Sequence, residues 1–207
     1  MTTREFSLFP LGTVLFPGGP LPLRIFEPRY VDMVSHCLRN DEPFGVCLIR
    51  AGREVGQAAA PFETGTLAKI VDWDRGEDGL LSLTALGTSR FRIQRTWVQE
   101  DQLLKGECEL LEEARIALPA QAKDLGSLVE RIMSQAHPSY AHTTLDLEDA
   151  AWVSYRLAEL MPLPMTAKQR LLEQTDPVER LDDLRRALHA LEANRNPNPN
   201  PSSEPEN

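Results

Sequence analysis

The period of the hydrophobic pattern changes once along this chain, and that change limits the available folds more than any other feature. Up to about Glu113, apolar residues alternate with polar ones or form short runs broken by turn residues, as strands do. From about Pro119 to Leu191 they recur three and four apart, as helices do. A chain ordered this way is expected to be α+β, with a β part first and a helical part second.

Within the first part, GTSRFRIQRTW alternates Phe91 and Ile93 with Arg90, Arg92 and Gln94, which puts one face on a core and the other in water. LKGECEL sets Leu104, Cys108 and Leu110 opposite Lys105, Glu107 and Glu109, with Gly106 on the inward side. GTLAKIVDW and GLLSLTAL are apolar runs separated by residues 74–79, a composition suited to a hairpin loop. Short strands at this spacing predict a small barrel or sandwich.

In the second part, Leu125, Leu128, Val129, Ile132, Met133 and Ala136 share one helical face, and Pro138 predicts a stop near Ala136. A further helix is expected from about Asp146. Thr166 with Gln169 has the form of a capping box, and Asp176-Pro177-Val178-Glu179 supplies a cap, a first-turn proline and a capping glutamate. Leu181, Leu184, Leu188 and Leu191 then form a packing stripe. The expected division is a β subdomain over 1–117, a helical subdomain over 118–193 and a disordered Asn/Pro-rich tail over 194–207.

With 42% hydrophobic side chains in 207 residues, the chain can bury a core. Its formal net charge of -9 disfavours nucleic acid and anionic lipid as general partners. Cys37, Cys47 and Cys108 lack metal-ligand spacing and read as buried thiols of a reducing compartment. With no secretory signal and no apolar run near the roughly 20 residues a membrane span needs, a cytoplasmic location is expected.

The motifs of catalysis are missing. There is no phosphate loop, no G-x-G-x-x-G and no G-x-S-x-G. None of Lys69, Lys105, Lys123 and Lys168 follows a serine at a recognisable spacing. His137 and His142 flank a proline turn, and His36 and His189 sit on helices, without a converging third ligand. No catalytic residue, no metal and no cofactor is expected.

One stretch remains, LPLRIFEPRYVDMV. Glu27 precedes a proline and is pushed toward extended backbone, while Pro28 suits the first turn of the helix marked by Val31, Val34 and Leu38. The corner is a strand-to-helix joint. Arg29 has the wrong sign for a helix start, so a nearby carboxylate is expected to hold it. An exposed Arg-Glu pair beside Phe26 and Tyr30 would also make a contact surface for a polypeptide, and the two readings are compatible.

These residues carry a resemblance. FPLGTVLFPGGPLPLRIFEPRYVDMV, FGVCLIR, TGTLAKIVDW, DGLLSLTALGTSRFRI and LPMTAKQRLLEQTDPVERLDDL, in that order, resemble the N-terminal, substrate-binding domain of the ATP-dependent Lon protease across most of Phe9 to Leu191. The resemblance implies a PUA-like β-barrel followed by a helical bundle. Complete Lon proteases continue into an ATPase and a serine-lysine peptidase, and this sequence contains neither, so it is similar to stand-alone bacterial proteins of that domain. What carries over is recognition of unfolded or exposed apolar polypeptide segments, with Phe26, Glu27, Arg29 and Tyr30 as contact residues, in an adaptor or regulator of a protease. The alternatives are a PUA-like nucleic-acid-binding protein and an enzyme with a small-molecule pocket between barrel and bundle.

Overall fold

A computed structural model describes residues 3–76, 80–135 and 138–195. Most of the tail expected from 194 onward, part of the loop expected at 74–79, and the Ala136 stop with His137 lie outside the described residues.

Among the described residues, the β part holds seven strands and one helix: β1 (Thr3–Leu11), β2 (Pro20–Ile25), α1 (Pro28–Asn40), β3 (Phe44–Ala51), β4 (Ala60–Pro61), β5 (Thr64–Arg75), β6 (Leu81–Val98) and β7 (Leu104–Leu110). The two apolar runs read on either side of Gly87 fuse into one 18-residue strand, β6. Its first half pairs with β2 and β5, and its second half with β7 and the start of β5. Around the sheet the pairings run β1–β7–β6–β5–β3, and β3 pairs back to β1 in parallel. Leu8, Cys47, Phe91, Ile93 and Cys108 from these strands form one buried cluster. Alternation read from sequence places Phe91, Ile93 and Cys108 correctly, but Arg90, expected on the wet face, is buried because its guanidinium is drawn to Glu113 and to the carbonyls of Leu172 and Gln174. All three cysteines are buried free thiols, and burial pushes Cys37 up to about 11, out of reach of thiolate chemistry at neutral pH.

After a 3-10 turn at Ala120–Ala122, the helical part comprises α2 (Lys123–Met133), a second 3-10 turn at Pro138–His142, α3 (Ala150–Leu160), α4 (Met165–Glu173) and α5 (Pro177–Arg195). Asp176 caps α5 as its sequence predicts, accepting from the amides of Val178 at 2.8 Å and Glu179 at 3.3 Å. Two other expected starts move. The cap of α3 is Asp149, which accepts from the amides of Ala151 and Trp152, whereas Asp146 pairs with Arg115 at 2.8 Å. α4 begins at Met165 without a side-chain cap, so Thr166 and Gln169 form no capping box. Gln169 is instead buried and donates to the Thr64 carbonyl at 3.0 Å, tying α4 to β5.

Buried cations join the two parts. Arg90 on β6 reaches the carbonyls of Leu172 and Gln174 at 2.7 and 3.1 Å and pairs with Glu113 at 2.8 Å. Arg180 on α5 lies 3.6 Å from the same carboxylate and 4.0 Å from the centre of the Tyr155 ring. Tyr155 completes the group by donating to Glu113 at 2.8 Å. Elsewhere Arg156 donates to the Pro17 carbonyl at 2.7 Å and pairs with Glu159 at 2.6 Å. The turn it holds, Gly18-Gly19, needs glycine at Gly18, where φ is 74°. Gly87 lies against this turn, and a Cβ there would collide with the Phe16 carbonyl.

Candidate functional site

The strand-to-helix corner forms as its residue order dictates. Glu27 is extended, with ψ 132°, and Pro28 opens α1. Arg29 then turns inward. Its guanidinium donates to Glu27 Oε2 at 2.9 Å and to the Gln102 carbonyl at 2.8 Å, and lies 4.7 Å from the centre of the Tyr30 ring. Tyr30 stacks on Phe9 with ring centres 3.8 Å apart. Burial pushes the Tyr30 phenol up to about 12, against the pull of the neighbouring Arg29 cation, so it stays protonated.

The expected carboxylate partner of Arg29 is therefore present, but the expected exposed pair is not. Arg29 and Tyr30 are each only 5% exposed, whereas Phe26 is 58% exposed. Sequence alone assigns a charged residue in a first helical turn to solvent. Here a carbonyl 73 positions away along the chain draws it in, and no local pattern records that contact.

Phe26, Glu27 and Tyr30 line a single cleft of about 210 Å³ between β2, the corner and residues 54–55. Its buried lining consists of Phe9, Leu11, Ile25 and Tyr30. Phe26 and Val55, both more than half exposed, stand at its rim with Glu27 and Glu54. Glu54 is fixed by accepting from the Gly12 amide. Arg29 does not line the cleft; it holds Glu27 and backs Tyr30 from behind. Across β2, a second cavity of about 360 Å³ shares Pro22, Leu23 and Arg24 with the first and reaches Asp72, Trp73 and Asp74. Trp73 is 56% exposed. The cleft thus sets exposed apolar side chains beside the carboxylates of Glu27 and Glu54, which suits seating a side chain. β2 pairs with β6 alone among the described strands, yet Pro20 and Pro22 lack amide donors, so its open edge is a poor template for an added strand.

Leu23, Glu54, Val55 and Trp73 are the residues that sequence reasoning misses here. The signal for two of them was available: Trp73 stands between aspartates in VDWDR, and Val55 stands among glycines and charges in GREVGQ.

A larger groove of about 1110 Å³ lies where β6 and β7 meet the α4–α5 link, lined by Arg90, Arg92, Glu109, Glu112 and Glu113 among others. Arg90, Arg180 and Tyr155 converge on Glu113 in its wall, while Arg90 Nη2 is buried without a hydrogen-bond partner among the described residues. Burial drives the Tyr155 phenol up and out of acid-base range at neutral pH. Among the described residues, no group of three or more His, Cys, Asp or Glu is placed to hold a metal ion.

Comparison with known proteins bears on this geometry. The family model for the ATP-dependent protease La (LON) substrate-binding domain matches residues 5–190. The chain belongs to this family. Lon protease 2 of Myxococcus xanthus is 29% identical over 173 residues, covering 79% of this chain and 21% of that protein. A Lon N-terminal domain protein from Xanthomonas campestris has a crystal structure that superposes with a TM-score of 0.74 at 39% identity, covering 87% of this chain and 96% of that one. The N-terminal domain of a Mycobacterium avium complex Lon protease shares the fold, with a TM-score of 0.61 at 16% identity over 87% of this chain and 96% of that one. The chain thus spans about a fifth of the length of the Lon proteases it matches, and the part matched is the substrate-binding domain. No described helix is long and apolar enough to cross a membrane.

Proposed function

We propose that this protein is a non-catalytic recognition module that binds polypeptide segments exposing large apolar side chains, one of which seats in the cleft beneath Phe26. Membership of the LON substrate-binding family supplies the class of partner. The observation that carries the reading to a place is the cleft itself, because it gathers Phe26, Glu27 and Tyr30 around an apolar floor and leaves Phe26 and Val55 exposed. In this reading the protein acts in the cytoplasm as an adaptor or regulator of proteolysis. The returning path of strand pairings favours a PUA-like barrel.

The test is fluorescence anisotropy of a labelled, permanently unfolded polypeptide titrated with the full chain. Saturable binding that Phe26→Ala and Val55→Ser each weaken several-fold is the expected result. Absence of binding across a broad set of apolar peptides removes the proposal. Nucleic acid is a poor fit to the acidic balance of the chain, and filter binding at low salt is expected to show none.

A further inference from the structure

We propose that the hydroxyl of Tyr30 donates a hydrogen bond to a main-chain carbonyl of the bound segment, beside the apolar side chain seated in the cleft. This rests on the reading of the cleft given above and adds the polar contact that orients the segment there. The chain has three tyrosines. Tyr140 donates to Glu159 at 2.6 Å and Tyr155 to Glu113 at 2.8 Å. The Tyr30 hydroxyl has no hydrogen-bond partner among the described residues, although the residue is only 5% exposed. A polar group so enclosed ordinarily has its partner. Phe9 stacks on the ring and the Arg29 guanidinium lies 4.7 Å from its centre, so what remains open of Tyr30 faces the cleft that it lines. The carboxylates of Glu27 and Glu54 both act on the phenol through space, in keeping with an oxygen set toward the rim where they stand.

The lining narrows the choice of acceptor. Its side-chain donors are Tyr30 and Arg24, and Arg24 is engaged by a partner. Pro20 and Pro22 bring no amide to the edge of β2. An acceptor entering the cleft therefore finds Tyr30 as its side-chain donor, and burial keeps the proton on that phenol at neutral pH. Glu54 accepts from the Gly12 amide and has no cation beside it among the described residues. An acidic side chain or a terminal carboxylate would meet that negative charge, whereas a neutral carbonyl does not. A polypeptide carries one such carbonyl at every residue, whatever its sequence. The contact thus fixes how a segment lies in the cleft without narrowing its composition beyond the seated side chain.

The test uses the full chain and a peptide with a Leu-Phe centre and neutral flanks, prepared also as a series in which each backbone amide in turn is replaced by an ester, whose carbonyl is a weaker acceptor. Fluorescence anisotropy measures binding to the wild-type and Tyr30→Phe proteins, and urea denaturation measures their stability. Tyr30→Phe should bind the all-amide peptide roughly three- to tenfold more weakly, the range of one hydrogen bond. Its urea midpoint should not fall, because the hydroxyl bonds nothing within the fold. One ester position should weaken binding to the wild type and cost less with Tyr30→Phe, the non-additivity expected of two groups in contact. Unchanged affinity of Tyr30→Phe, or a lowered urea midpoint, overturns the inference. So do ester effects that are equal in the two proteins, since the acceptor would then be a side chain. If Phe26→Ala still weakens the all-amide peptide in those cases, the reading of the cleft survives. Failure of this and every other apolar peptide to bind the wild type removes both.

Discussion

At the scale of single residues, Arg29 and Phe26 separate structure from recognition. Arg29 is enclosed, and its guanidinium satisfies one carboxylate and one loop carbonyl. Arg29→Ala should therefore lower the stability of the whole fold by about 3 kcal/mol, since it strands Glu27 and an orphaned carbonyl. Arg29→Lys should recover only part, because one ammonium does not replace a planar fork. Urea denaturation measures both. Phe26→Ala removes an exposed ring and should change stability by less than about 0.5 kcal/mol while weakening peptide binding. Binding lost in Arg29 or Tyr30 variants would thus report unfolding unless stability is measured beside it. The sequence identifies this corner through Glu-Pro and the change of period, but not that Arg29 is enclosed, since that depends on the distant Gln102 carbonyl that its guanidinium reaches.

At the scale of elements, the join between sheet and helices depends on Glu113, which receives Arg90, Arg180 and Tyr155. Glu113→Ala should cost about 3–5 kcal/mol, because two arginines remain enclosed without their counter-charge, and thermal or chemical unfolding would show it. A surface pair behaves differently. Arg185 on α5 grips Asp124 on α2 at 2.6 and 2.8 Å, which lowers the Asp124 carboxyl below its ordinary range. The unfolded aspartate titrates near about 3.9. The contribution of the pair is therefore full above that pH and is lost as pH falls through the lower folded value. Asp124→Asn should cost about 0.5 kcal/mol at neutral pH after solvent screening and nothing in strong acid. Melting curves of both proteins across that range test the sign. Elements were the most legible level. The strands followed from alternation and α5 from Asp176-Pro177, because caps and faces are local. The start expected at about Asp146 shifts to Asp149, whose carboxylate makes the cap, and Gln169 serves no capping box because it is buried against the Thr64 carbonyl.

At the scale of the molecule, the largest apolar cluster crosses the division that the sequence suggests near residue 117. Val14, Phe16 and Leu48 from the β part pack with Val129, Val153, Leu157 and Leu184. The two parts should consequently unfold together, with far-ultraviolet dichroism and tryptophan fluorescence giving coincident transitions. Trp73 and Trp97 report on the sheet and Trp152 on α3. Two resolved transitions would mean that the shared cluster and the buried arginines do not couple them. The resemblance to Lon substrate-binding domains was legible from motif order, but the cleft was not, because it is assembled from residues 9–11, 22–30 and 54–55 brought together by pairing.

The central claim is that a polypeptide is received at the β2 corner. Hydrogen exchange of the full chain, with and without a saturating unfolded polypeptide, tests it most directly. Added protection confined to residues 23–27, 52–56 and 72–74 is the predicted result. Protection centred instead on residues 88–92 and 109–113, or no change anywhere at saturation, would contradict it.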